Sequence, residues 1–163
     1  MMRKIPWVLV VLVAAGVAIG SYLTVAHWGD QPIECGGVGD CGYVNSSEYA
    51  SVGGVPVSGL GALMYLSMTL TATAWIRYRD VEWLPVAYWG LALAGAGYAA
   101  YLTYVELEIL QAICVWCVTS AIILAISLLL ASIAVFASAD EEQEEAVLPR
   151  KDGLQIGVAP EPE

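Results

Sequence analysis

Four stretches of the chain, 5–26, 55–76, 83–105 and 109–137, are apolar almost without a break, and the polar residues gather between them. The hydrocarbon core of a bilayer is about 30 Å thick and takes about 20 helical residues to cross. Each stretch meets that length. None shows the alternation of apolar and polar residues that marks a membrane barrel strand, so helices are the form in which every backbone group inside lipid finds a partner. The pattern predicts an all-α membrane protein: a four-transmembrane-helix bundle within residues 1–138, with an outer loop at 27–54 between the first two helices. From residue 139 the character changes. Asp140, Glu141, Glu142, Glu144 and Glu145 lead into a Pro- and Gly-containing end, so 139–163 reads as a solvated, disordered acidic tail.

Composition sharpens this reading. The hydrophobic share is 59% and the charged share 13%, against about 45–50% and about 25% in an ordinary soluble domain; a soluble globular protein is excluded. Six Lys and Arg against 16 Asp and Glu give a net charge of -10, which offers no basic surface for nucleic-acid phosphates. The basic residues occupy three places: Arg3 and Lys4, Arg77 and Arg79, Arg150 and Lys151. An even number of spans puts all three on one face, and the positive-inside bias makes that face cytoplasmic. The connections 27–54 and 106–108 contain Asp30, Glu34, Asp40, Glu48, Glu106 and Glu108 but no Lys or Arg, so they are expected to face outward. The expected location is the cell membrane, multi-pass, with both termini cytoplasmic.

Arg3 and Lys4 before an apolar run also resemble a signal peptide. The run exceeds the 7–15 residues of a signal's apolar region, so it is expected to stay as the first span. Within it, Gly16 and Gly20 form a small-xxx-small pair that either admits a neighbouring helix closely or reflects chance spacing.

The four cysteines carry the chemistry. Cys35 and Cys41 lie in the outer loop, and Cys114 and Cys117 form Cys-Val-Trp-Cys near the outer end of the fourth stretch. On an oxidising face disulfides persist. A Cys-x-x-Cys at the start of a helix can close a small ring, and the helix N-terminus favours the thiolate. The loop pair is separated by Gly36-Gly37-Val38-Gly39-Asp40, a segment flexible enough to bring the pair together or swing either sulfur toward another disulfide. Two pairs of this kind suggest electron relay by thiol–disulfide exchange. Two other uses stay open: zinc binding, although a structural site usually pairs two closely spaced cysteine elements, and a pair of permanent staples.

In this order the residues resemble the vitamin K epoxide reductase family, including bacterial and archaeal homologues that oxidise thiols at the expense of quinone. The pattern is a loop cysteine pair, Ser47 six residues after Cys41, Gly54-Val55-Pro56 leading into the second span, and Cys-x-x-Cys at the last helix of a four-helix bundle. The bacterial quinone-linked oxidase of the disulfide-forming pathway has its Cys-x-x-Cys before its spaced pair. The resemblance implies a membrane thiol:quinone oxidoreductase in which Cys117 reacts with the quinone and Cys114 closes the disulfide on it. Cys35 and Cys41 would shuttle electrons inward from a thioredoxin-like protein, and Ser47 would lie in a short loop helix near the quinone side. The quinone, of menaquinone, ubiquinone or vitamin K type, would be a substrate, and no metal is implied.

This sequence departs from the pattern in two places. Ala121 stands where vitamin K reducers often carry Tyr, and Val57 where they carry Asn. That favours plain quinone reduction over epoxide reduction and leaves Ser58, Tyr65, Tyr101, Tyr104 and Ser120 as candidate donors to the head group, with Trp116 as a candidate wall of its pocket. Many homologues carry a fused thioredoxin-like domain. The residues after Ser138 leave no room for one, so the partner is expected to be a separate protein. His27 beside Trp28 reads as an interfacial residue, and Trp83 and Trp89 as boundary aromatics. Asn45-Ser46-Ser47 is a glycosylation sequon that a partner docking beside Ser47 would disfavour. The rival reading, from another class, is a non-catalytic integral membrane protein with structural disulfides in its outer loop.

Overall fold

The computed structural model describes residues 4–29, 33, 35–37 and 39–147, and of 138–147 the backbone alone. Its helices in chain order are α1 (Ile5–Trp28), α2 (Cys41–Ser46), α3 (Val57–Arg77), α4 (Trp83–Tyr104) and α5 (Val115–Val147). Pro6 in the first turn of α1 costs no hydrogen bond, because that N–H has no partner within the helix anyway. Between α2 and α3 lie a 3-10 turn (Glu48–Ala50) and a two-residue ladder, Ser51–Val52 against Val55–Pro56. Its turn residues Gly53 and Gly54 have φ of +61° and +84°, the tight hairpin geometry that glycine adopts without strain.

The four long helices form a ring in which α1 and α4 each touch both α3 and α5. Neighbours run antiparallel. Gly16 of α1 packs on Tyr65 and Gly20 on Ala62, while Thr24 Oγ1 and Ser58 Oγ meet at 3.2 Å; across the ring Trp89 Nε1 donates to Ser132 Oγ at 3.0 Å and Gly95 packs on Leu124. The small-xxx-small pair is therefore a close helix contact. A methyl group at Gly20 would press on the Ala62 backbone at 3.1 Å. The core between the helices holds Leu9, Val13, Met68, Ala72, Tyr88, Ala92 and Ala131, with Tyr65, Ile123 and Leu124 at its upper end. Large apolar side chains also cover the outside, among them Val11, Leu70 and Leu129, each more than 60% exposed. A helix apolar on both sides belongs in lipid.

Among the described residues three segments are long and apolar enough to cross a membrane: Ile5–Trp28, Val57–Arg77 and Val115–Ala137, with mean hydropathies of 2.4, 1.3 and 2.6. α4 is as long and packs within the ring, but its Gly, Ala, Tyr and Trp content dilutes its apolarity and it is not among them. The fold is an all-α membrane protein with a short helix between the first two long ones.

Two boundaries differ from the sequence reading. The stretch 109–137 is not one element: residues up to Leu110 belong to a π-helical segment (Val105–Leu110) continuing α4, Gln111 then takes a left-handed conformation (φ 50°), and α5 starts only at Val115. Apolarity does not reveal this, because both sides of the break are greasy. At the far end α5 continues unbroken to Val147, through residues read as the start of a disordered tail. Asp30, Glu34, Val38 and the segments 1–3 and 148–163, including Arg3, Arg150 and Lys151, lie outside the described residues.

Candidate functional site

At one end of the bundle α1 ends, α3 begins, α4 ends and α5 begins, and all four cysteines are gathered there. Lys4, Arg77 and Arg79 lie at the opposite end. Asp40 starts α2 by accepting the Tyr43 N–H on Oδ1 at 3.0 Å, which satisfies one of the donors a helix start leaves unpaired. Cys41 is the first residue of that helix and is joined to Cys35 by a disulfide, with the Cα atoms 5.8 Å apart; its N–H also donates to Cys35 Sγ at 3.1 Å. The glycines before it are not equivalent. Gly36 and Gly37 have positive φ and open space around them, whereas at Gly39 (φ +81°) a side chain would strike the Ile113 carbonyl oxygen. That oxygen accepts the Asp40 N–H at 3.0 Å. The loop is thus docked on the connector that carries the second cysteine pair.

That connector is short. Ala112 N–H donates to the Glu106 carbonyl at 3.1 Å, and Cys114 stands immediately before α5, its carbonyl accepting from Val118 N–H at 3.0 Å. Cys117, one turn on, donates its N–H to Cys114 Sγ at 3.4 Å. Both are thiols. The hydrogen bond from the Cys117 thiol draws the Cys114 thiol below its ordinary value, against burial and the Glu106 charge. Cys41, Val44 and Cys114 form one buried cluster, with Cys35, Trp116 and Cys117 packed around it.

Glu106 completes the group. Its side chain is 5% exposed, its Oε2 accepts the Cys114 N–H at 3.1 Å, and it lines the same cavity as Cys117. Burial pushes this carboxyl above the usual carboxylate range, and the Cys114 N–H opposes the shift. The sequence reading counted Glu106 only as an outward-facing acid. The available signal was that it and Glu108 are the sole charges between Trp83 and Ala137, and an acid inside a long apolar run is costly unless used.

Beneath the loop a cavity of about 150 Å³ opens between α1, α3, α4 and α5, a size that in an apolar setting accommodates a single six-membered ring. Its walls are mostly aliphatic, from Ile19, Leu23, Val57, Leu102 and Leu124, with Asn45, Ser47, Tyr49, Ser58, Tyr65, Tyr98, Thr103, Glu106, Cys117 and Ser120 as the groups that carry polar atoms. Ser47, Ser58, Tyr65 and Ser120 were expected from sequence. Asn45, Tyr49, Tyr98 and Thr103 were not. Tyr65 OH donates to the Ser120 carbonyl at 2.9 Å and shares a 2.7 Å bond with Ser120 Oγ. Ser47 Oγ donates to the Val44 carbonyl at 2.8 Å, closing the C-terminus of α2, so the hydroxyl orients its segment. His27 Nδ1 pairs with the Asn45 carbonyl at 2.8 Å and ties α1 to the same segment.

Three candidates fall elsewhere. Trp116 is not part of the cavity wall: it packs on Tyr22 with ring centroids 5.5 Å apart and flanks the cysteine cluster, because consecutive helical residues point about 100° apart and Cys117 takes the inward direction. Tyr101 and Tyr104 are 51% and 59% exposed and are not among the residues lining the cavity. Among the described residues no three His, Cys, Asp or Glu side chains stand together as a metal site.

The site joins a disulfide, a dithiol and a ring-sized apolar cavity at one end of a membrane-helical bundle, which fits a membrane oxidoreductase. The model of the vitamin K epoxide reductase family matches residues 7–132, most of the chain and all of the site, and the protein belongs to that family. The family is one of membrane oxidoreductases that couple thiols to quinone and generally act with thioredoxin-like partners.

Proposed function

We propose that this protein reoxidises a separate thioredoxin-like partner and passes the electrons to a lipid-borne quinone, supporting disulfide formation in secreted proteins. The partner reduces Cys35–Cys41, those thiols reduce a Cys114–Cys117 disulfide, and the resulting dithiol reduces the quinone to quinol. Each transfer is an exchange through a mixed disulfide. The observation that carries this reading is the division within the Cys-x-x-Cys: Cys117 lines the cavity while Cys114 is buried against Cys41. One sulfur is presented to a ring-shaped acceptor and its partner to the loop. The redox state fits the moment before quinone reduction, with the loop pair closed and the inner pair as thiols.

In this reading α4 also spans the membrane, as the third of four spans, the cysteine end faces outward and both termini are cytoplasmic. The quinone head enters laterally from lipid, and the absence of Asn and Tyr at Val57 and Ala121 favours quinone over epoxide as substrate. The test is quinone reduction by purified protein with a small dithiol as donor. Turnover in the wild type that is lost in Cys117→Ala supports the reading. No turnover in the wild type, with all disulfides unchanged after incubation with dithiol and quinone, rejects it in favour of structural staples.

A further inference from the structure

Among the described residues no cation pairs with the Glu106 carboxyl. It is buried at the inner end of the π-helical segment, accepts the Cys114 N–H at 3.1 Å and shares a cavity wall with Cys117. It also lines the cavity. The titratable groups facing the same space are Tyr49 from the 3-10 turn, Tyr65 from α3, Tyr98 from α4 and Cys117 from α5, with Cys114 behind; Glu108 on its own segment is exposed. No Lys, Arg or His is among the described residues lining the cavity. A carboxyl desolvated in this way carries a cost that a purely structural contact to one N–H does not require, since an amide would accept the same bond. Its place between a thiol and a ring-sized cavity matches what proton transfer needs.

We propose that Glu106 is the proton carrier of the quinone step, taking the Cys117 thiol proton and returning it to a quinone oxygen. This rests on the quinone reading above. In the step two S–H bonds break, one S–S bond forms between Cys114 and Cys117, and the electron pair passes to the quinone. Its two oxygens gain the two protons, one through Glu106, which finishes in the state in which it began, and the other from Cys114 by way of solvent. The upward pull of burial suits this role, because a carboxyl nearer neutrality is a better base. The carbonyl of Glu106 also holds Ala112, so the group that handles the proton and the turn that presents Cys114 are one unit.

The test uses the full chain in detergent micelles with dithiothreitol as donor and decylubiquinone as acceptor, followed from acid to neutral pH. Glu106→Gln keeps an acceptor for the Cys114 N–H but removes the base. It is expected to lower kcat roughly 10²- to 10³-fold, leave the quinone KM within a few-fold, and abolish the acidic limb of the kcat profile while the unfolding temperature stays near that of the wild type. Glu106→Asp, which restores a carboxyl, is expected to regain part of the rate and the acidic limb. Turnover of Glu106→Gln within threefold of the wild type, with the same limb, overturns the proposal and leaves the quinone reading standing. If Glu106→Gln does not fold, the wild-type profile decides: a kcat flat through the carboxyl range overturns the proposal. A wild type that reduces no quinone at any pH overturns the underlying reading and this one with it.

Discussion

The two cysteine pairs sit in one cluster yet are held by different means. Cys35 and Cys41 depend on a short loop held, among the described residues, by a backbone bond to Ile113, the Asp40 cap of a six-residue helix, the His27–Asn45 bond and the burial of Cys41 and Val44. Cys114 and Cys117 depend on a helix start braced by the bundle and by Glu106. A loop held by a few local bonds opens at small free-energy cost, whereas a helix in the core opens only with the whole fold. In the proposed relay this suits the outer pair to moving between a soluble partner and Cys114, and the inner pair to keeping Cys117 at the cavity wall.

The largest expected effect separates the pairs outright. Cys117→Ala is expected to abolish quinone reduction with either a protein or a dithiol donor, since no second cysteine lines the cavity among the described residues. Cys35→Ala and Cys41→Ala are expected to remove partner-driven turnover but to spare dithiol-driven turnover to within a few-fold. Quinone absorbance under the two donors reads both. Equal loss in all three variants with dithiol would erase the division of roles.

A finer cut lies within the loop. Gly39→Ala places a methyl group against the Ile113 carbonyl in a left-handed backbone, at about 1–2 kcal/mol for the conformation and about 1–3 kcal/mol more if the Asp40 N–H loses its acceptor. Gly36→Ala pays only the conformational part, because the space around it is open. Exchange of the Asp40 amide with deuterium is expected to accelerate strongly in the first variant and little in the second, with partner-driven turnover changing in the same order. Equal acceleration would mean that the docking bond does not hold the loop.

How much of this was legible in the sequence follows the same division. The long helices were, because lipid imposes unbroken apolarity; so was the pairing of the cysteines into an outer loop and a helix start. The break at Gln111 was not, since a left-handed turn flanked by apolar residues leaves no trace in hydropathy, and the placement of Glu106 in the cavity wall was marked only by its charge within an apolar run. Trp116 was misplaced for a related reason: adjacency to Cys117 in sequence is not adjacency on a helix face. The unlike roles of Gly36 and Gly39 depend on the approach of Ile113, 74 residues further along in the chain, which no local pattern encodes.

The smallest effect tests the helix beneath the outer pair. Asp40 caps α2 through one bond to Tyr43 N–H, and losing such a cap costs about 1 kcal/mol. In a bundle of this size that shift disappears from global unfolding, but α2 is only six residues long and an isolated helix of that length has little stability of its own. The loss therefore falls on the loop. Asp40→Ala is expected to raise the exchange rate of the Tyr43 amide about fivefold, as about 1 kcal/mol dictates, and to make Cys35–Cys41 easier for a dithiol to reduce, while the alkylation rate of Cys117 stays as in the wild type. A parallel change at Cys117 would show that the two pairs share one rigid support, and that the loop does not move independently of the helix start it serves.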